Sequence, residues 1–183
     1  MGIPCYFSNI IRKYNNIMLK KEQTKLKTNN FYLDSNSIIY DAIQKCDISL
    51  PDFEKQLGDE IIFQLEQHIF DVSPTNKTII AFDGIAPMAK IQQQRERRFK
   101  SNLERNIRSS LYNKKETWDT CNITPGTKFM KDLMCKLEDY FSKFENIEIY
   151  SSNEPGEGEH KLFEYIRTHP EQHKNLNTVV YGL

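Results

Sequence analysis

Glu157 and Glu159 lie two residues apart in a glycine-spaced turn, Glu154-Pro155-Gly156-Glu157-Gly158-Glu159-His160-Lys161. Without side chains at Gly156 and Gly158, a ligand can approach the backbone closely there. Carboxylates so placed can hold a hard cation, or they can simply favour a helix N-terminus through its macrodipole. Acids recur in comparable places. Asp34 closes Asn30-Phe31-Tyr32-Leu33, and Asp83 closes Thr78-Ile79-Ile80-Ala81-Phe82 just before Gly84. Either Asp alone is equally well read as a helix N-cap. Recurrence at three junctions favours one shared cation site, because clustered carboxylates repel each other without a counter-ion. Oxygen-only ligands point to magnesium or manganese rather than zinc. His160 reads equally as a solvated helix residue.

A second chemistry follows Asp83. Lys90-Ile91-Gln92-Gln93-Gln94-Arg95-Glu96-Arg97-Arg98-Phe99-Lys100 has helical character, and at about 100° per residue Lys90, Gln94, Arg97 and Arg98 share one arc. A solvated charged face is the plain reading of such a run. However, the arc holds almost no acidic partner and starts within a turn of a candidate cation ligand. Cations there suit a terminal phosphate beside a scissile phosphodiester, since guanidinium groups grip phosphate bidentately. Such a grip carries no base specificity.

The elements that must position these groups alternate. Asn30 to Asp34 predicts a strand and Ser35 to Cys46 a helix. Phe53 to Val72 predicts a longer amphipathic helix, with Ile61, Ile62, Leu65 and Ile69 on one side. Thr78 to Asp83 predicts the second strand, and the charged helix runs from about Ala89 into the Arg108 region. Thr124-Pro125-Gly126 starts a helix that buries Phe129, Leu133, Leu137 and Phe141. Ile147 to Tyr150 and Thr178 to Tyr181 complete four strands. This alternation predicts an α/β fold, a parallel sheet flanked by helices on both faces. Active sites of such sheets lie beyond the carboxyl ends of the strands, where Asp34, Asp83, Glu157 and Glu159 fall.

Composition sets limits. The 183 residues suit one domain with a proper core. With 25 Lys+Arg against 25 Asp+Glu, global charge gives no steering toward polyanions. Cys5, Cys46, Cys121 and Cys135 are widely spaced, which suits reduced thiols better than a disulfide framework or zinc site. No apolar run approaches the roughly 18 residues of a membrane span. The expectation is a soluble intracellular chain, cytoplasmic rather than nuclear, with no membrane association.

These segments, in order, resemble the N-terminal catalytic region of the Xrn-type 5′→3′ exoribonucleases. The series begins with Met1-Gly2-Ile3-Pro4, Leu33-Asp34-Ser35-Asn36 and Phe82-Asp83-Gly84-Ile85-Ala86-Pro87. It continues through Gln93-Gln94-Arg95, Arg97-Arg98-Phe99 and Asn122-Ile123-Thr124-Pro125-Gly126-Thr127 to the glycine-spaced turn and Val179-Val180-Tyr181-Gly182-Leu183. The resemblance implies a PIN/FEN-like nuclease core and magnesium-dependent (or manganese-dependent) hydrolysis of 5′-monophosphorylated RNA, one nucleotide at a time. It implies that Asp34, Asp83, Glu157 and Glu159 are catalytic metal ligands. It implies that Lys90, Gln94, Arg97 and Arg98 form the 5′-phosphate pocket, closed to a cap or triphosphate. Tyr40 stands where the family has a histidine that stacks on the terminal base, and tyrosine can stack as well.

Departures from the family shape further expectations. Met88 replaces a usual arginine, Ser37 a usual glycine, and the stretch between Lys100 and Trp118 is short. Relatives continue past the Tyr-Gly-Leu stretch with an Asp-x-Asp pair, whereas Leu183 is terminal here. The expectation is therefore a single N-terminal nuclease domain over 1–183, truncated and incomplete at its C-terminus. The alternative to hydrolysis is a catalytically incomplete RNA 5′-end-binding module or a fragment of a split nuclease completed by a second polypeptide; without such a partner the chain is expected to be a monomer.

Overall fold

The computed structural model describes residues 5–18, 27–112 and 118–182. The expected segments Met1-Gly2-Ile3-Pro4 and Leu183 lie outside them. Four parallel strands, β1 (Asn30–Asp34), β2 (Lys77–Ala81), β3 (Ile147–Tyr150) and β4 (Thr178–Tyr181), form one sheet in the order β3-β2-β1-β4. β1 is central, and Phe31, Tyr32 and Leu33 are buried on both its faces, as a near-continuous apolar run in a parallel sheet must be. Its register sets Leu33 against Ile80 on one side and against Tyr181 on the other.

The described residues form six helices: α1 (Tyr6–Lys13), α2 (Asn36–Lys45), α3 (Phe53–Val72), α4 (Met88–Tyr112), α5 (Lys128–Phe141) and α6 (Gly158–Thr168). Side chains alternate across the strands. Phe31, Leu33, Ile80 and Phe82 therefore pack with Ile38 and Ile39 of α2, Leu57, Ile61 and Leu65 of α3, and Met130, Leu133 and Leu137 of α5. The opposite face sets Tyr32, Ile79 and Ala81 against Leu162 and Tyr165 of α6. Burial of this order contributes about 1.5–3 kcal/mol per large apolar side chain. Thr127 caps α5 by accepting the Met130 N–H at 3.3 Å.

The α/β reading and the parallel sheet hold, with two local differences. β2 ends at Ala81 rather than Asp83, because the Phe82 N–H still pairs with Tyr150 but the chain then turns toward the acidic loop. α1 was not expected: it is only eight residues long and buries none of them, although Tyr6, Phe7, Ile10 and Ile11 share one side. α4 differs from the other long helices, since its described side chains are all half-buried or exposed. No described helix is long and apolar enough to cross a membrane.

The chain visits β1, β2 and β3 in one direction and then crosses back, through α6, to the far side of β1. That reversal creates a switch point at the carboxyl end of β1, where open sheets of this kind present a crevice. Asp34 stands there.

Candidate active site

Asp34 ends β1, and Asp83 lies two residues past β2. Their carboxylates are held differently. Asp83 is fixed at both oxygens: the Asn36 side-chain amide donates to Oδ2 at 2.6 Å, and the Gly158 N–H donates to Oδ1 at 2.7 Å. The Asp83 N–H in turn donates to Asn36 Oδ1 at 3.2 Å. Gly158 opens α6, so Asp83 also sits against a helix N-terminus, where a negative charge is favoured. By contrast, Asp34 Oδ1 is buried with no hydrogen-bond partner among the described residues.

The glycines explain how the loops come together. A Cβ on Gly158 would stand 2.7 Å from Asp34 Oδ1. The space expected there for a ligand is therefore filled by Asp34 itself. Gly84 runs against the acidic turn, donating its N–H to Gly156 O at 2.8 Å, while Gly156 donates to Ile85 O at 3.0 Å. A Cβ on Gly84 would fall 1.7 Å from Glu154 O. Beneath the junction the buried Lys161 ammonium donates to Phe82 O at 2.8 Å and Ser151 O at 2.7 Å, tying the ends of β2 and β3 to α6. Burial lowers its pKa.

Glu157 and Glu159 flank Gly158. Glu157 is the residue before α6, yet its side chain does not cap the helix. Instead Lys90 Nζ reaches both of its oxygens, at 2.8 and 2.6 Å, and the ammonium's pKa is raised chiefly by that contact. His160 Nδ1 lies 3.4 Å from the same carboxylate, so His160 is drawn into the cluster. Glu157, Glu159 and His160 offer ligand atoms that all lie within 4.8 Å of one another.

The carboxylates act on one another. Burial, then Asp83, then Glu159 and Glu157 push the Asp34 carboxyl up to about 6, against an opposing backbone hydrogen bond from Asn36. The ligand atoms close enough to share one ion come from Glu157, Glu159 and His160, and among the described residues neither Asp34 nor Asp83 joins that group. The donor set is mostly oxygen, which fits magnesium or manganese.

Beside the acids a cleft of about 580 Å³ opens between α2, α4 and the segment from Thr120 to Pro125. Asp34, Asn36, Tyr40, Asp83, Gln94, Arg97 and Arg98 all line it. Neither guanidinium makes an ion pair or hydrogen bond among the described residues, and Tyr40 is 48% exposed at the cleft wall. Lys90, Glu157 and Glu159 are not part of that lining. Of the expected phosphate residues, Lys90 is therefore the one placed apart, on Glu157. Sequence reading assigned no role to Asn36 or Lys161, although both lie within motifs it singled out. Asn36 follows Asp34 by two residues, which was the available signal.

A family model described as the XRN 5′-3′ exonuclease N-terminus matches residues 1–183. Among curated relatives, a protein named 5′-3′ exoribonuclease 1 from Saccharomyces cerevisiae is 35% identical over 210 positions, covering 100% of this chain and 13% of its own length. The like-named protein of Schizosaccharomyces pombe is 35% identical over 211 positions, covering 100% of this chain and 15% of its own length. A 5′-3′ exoribonuclease 2 from the same yeast is 30% identical over 234 positions, with 100% and 24% covered. The chain thus spans about a quarter or less of these relatives. The alignments exceed 183 positions, so the relatives carry residues that this chain lacks.

Proposed function

Because the chain belongs to the XRN 5′-3′ exonuclease N-terminus family, we propose that it supplies the 5′-end pocket and acidic centre of a 5′→3′ exoribonuclease. The substrate is RNA bearing a 5′-monophosphate, and the products are mononucleotides. The observation that carries this reading is one cleft lined both by two guanidinium groups with no partner among the described residues and by Asp34 and Asp83. A phosphate recognised by Arg97, Arg98 and Gln94 would lie beside the acids, which is what cleavage near an RNA end requires.

Each residue then has a task. Arg97 and Arg98 bind the terminal phosphate bidentately, and Gln94 donates a neutral hydrogen bond beside them. Tyr40 offers a ring on which the first base stacks. Asn36 and the Gly158 N–H hold Asp83 in one orientation. Asp34, Asp83, Glu157 and Glu159 would hold magnesium or manganese, which when bound supplies Lewis acidity at the phosphodiester. The grip on the terminal phosphate fixes register, so that cutting falls after the first nucleotide. Residues 1–183 would serve as the N-terminal part of the catalytic unit, with RNA as the partner and the remaining elements supplied by further polypeptide.

The test compares two RNA oligonucleotides differing only at the 5′ end. The phosphorylated one is degraded to mononucleotides with magnesium, the 5′-hydroxyl one persists, and Asp83→Ala abolishes turnover. Equal treatment of both ends would reject the reading. End-selective binding without turnover would limit the chain to an end-binding module.

A further inference from the structure

The two tasks expected of Lys90 and Glu157 conflict in this structure. Lys90 belongs to the phosphate stripe, one helical turn before Gln94 on the same side of α4, and Glu157 belongs to the acids. Yet the Lys90 ammonium holds both Glu157 oxygens, at 2.6 and 2.8 Å. The Glu157 side chain is only 14% exposed. A cation that needs Glu157 must therefore compete with Lys90. Among the described residues no other lysine or arginine pairs with any of the four acids. Gln94 lines the cleft one helical turn along and Arg97 and Arg98 about two turns along, and the Lys90 ammonium sits on a flexible four-carbon stem that can turn toward them.

We propose that Lys90 is an exchangeable counter-ion that couples the two sites: a 5′-phosphate in the cleft draws its ammonium off Glu157 and frees that carboxylate for a divalent cation. This deepens the phosphate-and-cation reading above and rests on it. The two ligands then bind cooperatively, and by linkage each raises the other's affinity by the same factor. Positive cooperativity has a use here. The acids attract a cation fully only when an RNA end of the right chemistry is in place. Lys90 is a positioning residue in this account, acting through Glu157.

The test titrates manganese into the 183-residue chain and reads free ion by electron paramagnetic resonance. Two short RNAs with a hydrolysis-resistant first linkage are compared, one 5′-phosphorylated and one 5′-hydroxyl. The wild type should bind manganese about fivefold or more tightly with the phosphorylated RNA. Lys90→Met and Lys90→Gln should bind manganese without RNA as tightly as the wild type does with it, and the two RNAs should no longer differ. That gain without RNA is the part that mere loss of phosphate affinity would not produce. Equal affinities with both RNAs in the wild type, or no gain in either variant, overturn the coupling. If Glu157→Gln still weakens manganese binding in that case, the site reading survives alone. If neither Glu157→Gln nor Asp83→Asn changes it, both readings fall together.

Discussion

Asn36 makes two hydrogen bonds to a single residue, Asp83, one to its carboxylate and one from its backbone. Groups that orient a ligand commonly matter by about 10- to 100-fold in metal affinity. Asn36→Ala should therefore weaken manganese binding by that order while leaving the far-ultraviolet circular dichroism unchanged, as calorimetry and spectroscopy would show. Asp34 makes a different prediction. Its carboxyl is raised from 3.8 to about 6, first by burial and then by its acidic neighbours. A group whose folded pKa is raised contributes stability that is fully present below about 3.8 and is lost as pH climbs through about 6. Asp34→Asn should thus raise the melting temperature of the metal-free chain more at pH 7 than at pH 4, and added magnesium should narrow the difference. An equal effect at both pH values would remove Asp34 from the repulsive cluster.

At the scale of elements, the site depends on two loops packed backbone to backbone. Gly84→Ala would drive a Cβ into the Glu154 carbonyl, so the loops must part. Overpacking of this kind costs typically 1–3 kcal/mol or more. Denaturant titration should show that loss, with manganese affinity falling alongside. Lys161→Met would strand the buried Phe82 carbonyl, at about 1–3 kcal/mol, while Ser151 O keeps the Glu154 N–H, and should be comparably destabilising. Much of this scale was legible beforehand. Asn30–Asp34, Phe53–Val72, Ile147–Tyr150 and Thr178–Tyr181 begin and end where their apolar patterns do; burial writes that pattern into the first two, whereas β3 is half-buried and Val179 and Val180 of β4 are exposed, so those two are legible through β-branched and aromatic residues. The Lys90–Glu157 pair was not legible, since it joins residues far apart in sequence through tertiary packing. Gly158 was understood only in part: its bareness could be read, but the Asp34 oxygen that needs it could not. α1 was missed although Tyr6, Phe7, Ile10 and Ile11 lie on one side of it, because eight residues are short for a helical period to stand out.

For the molecule as a whole, 25 basic and 25 acidic residues cancel, so attraction to RNA must be local. Binding of 5′-phosphorylated RNA should depend on Arg97 and Arg98 far more than on surface lysines. Replacing both with alanine should cost tenfold or more in affinity for that end, given about 1.5–3 kcal/mol for each charge-assisted hydrogen bond. Affinity for 5′-hydroxyl RNA should barely move, as fluorescence anisotropy would reveal. The sheet order explains why this local site exists at all. The return of the chain to the far side of β1 leaves a crevice at Asp34, and α2, α4 and the Thr120–Pro125 segment wall it. The most direct measurement of the central claim is a crystal of the chain soaked with manganese and a nucleoside 5′-monophosphate, read by anomalous diffraction. The account predicts a manganese peak among Asp34, Asp83, Glu157 and Glu159, with the phosphate beside Arg97 and Arg98. A manganese peak elsewhere, or those four carboxylates turned away from any ion, would contradict it.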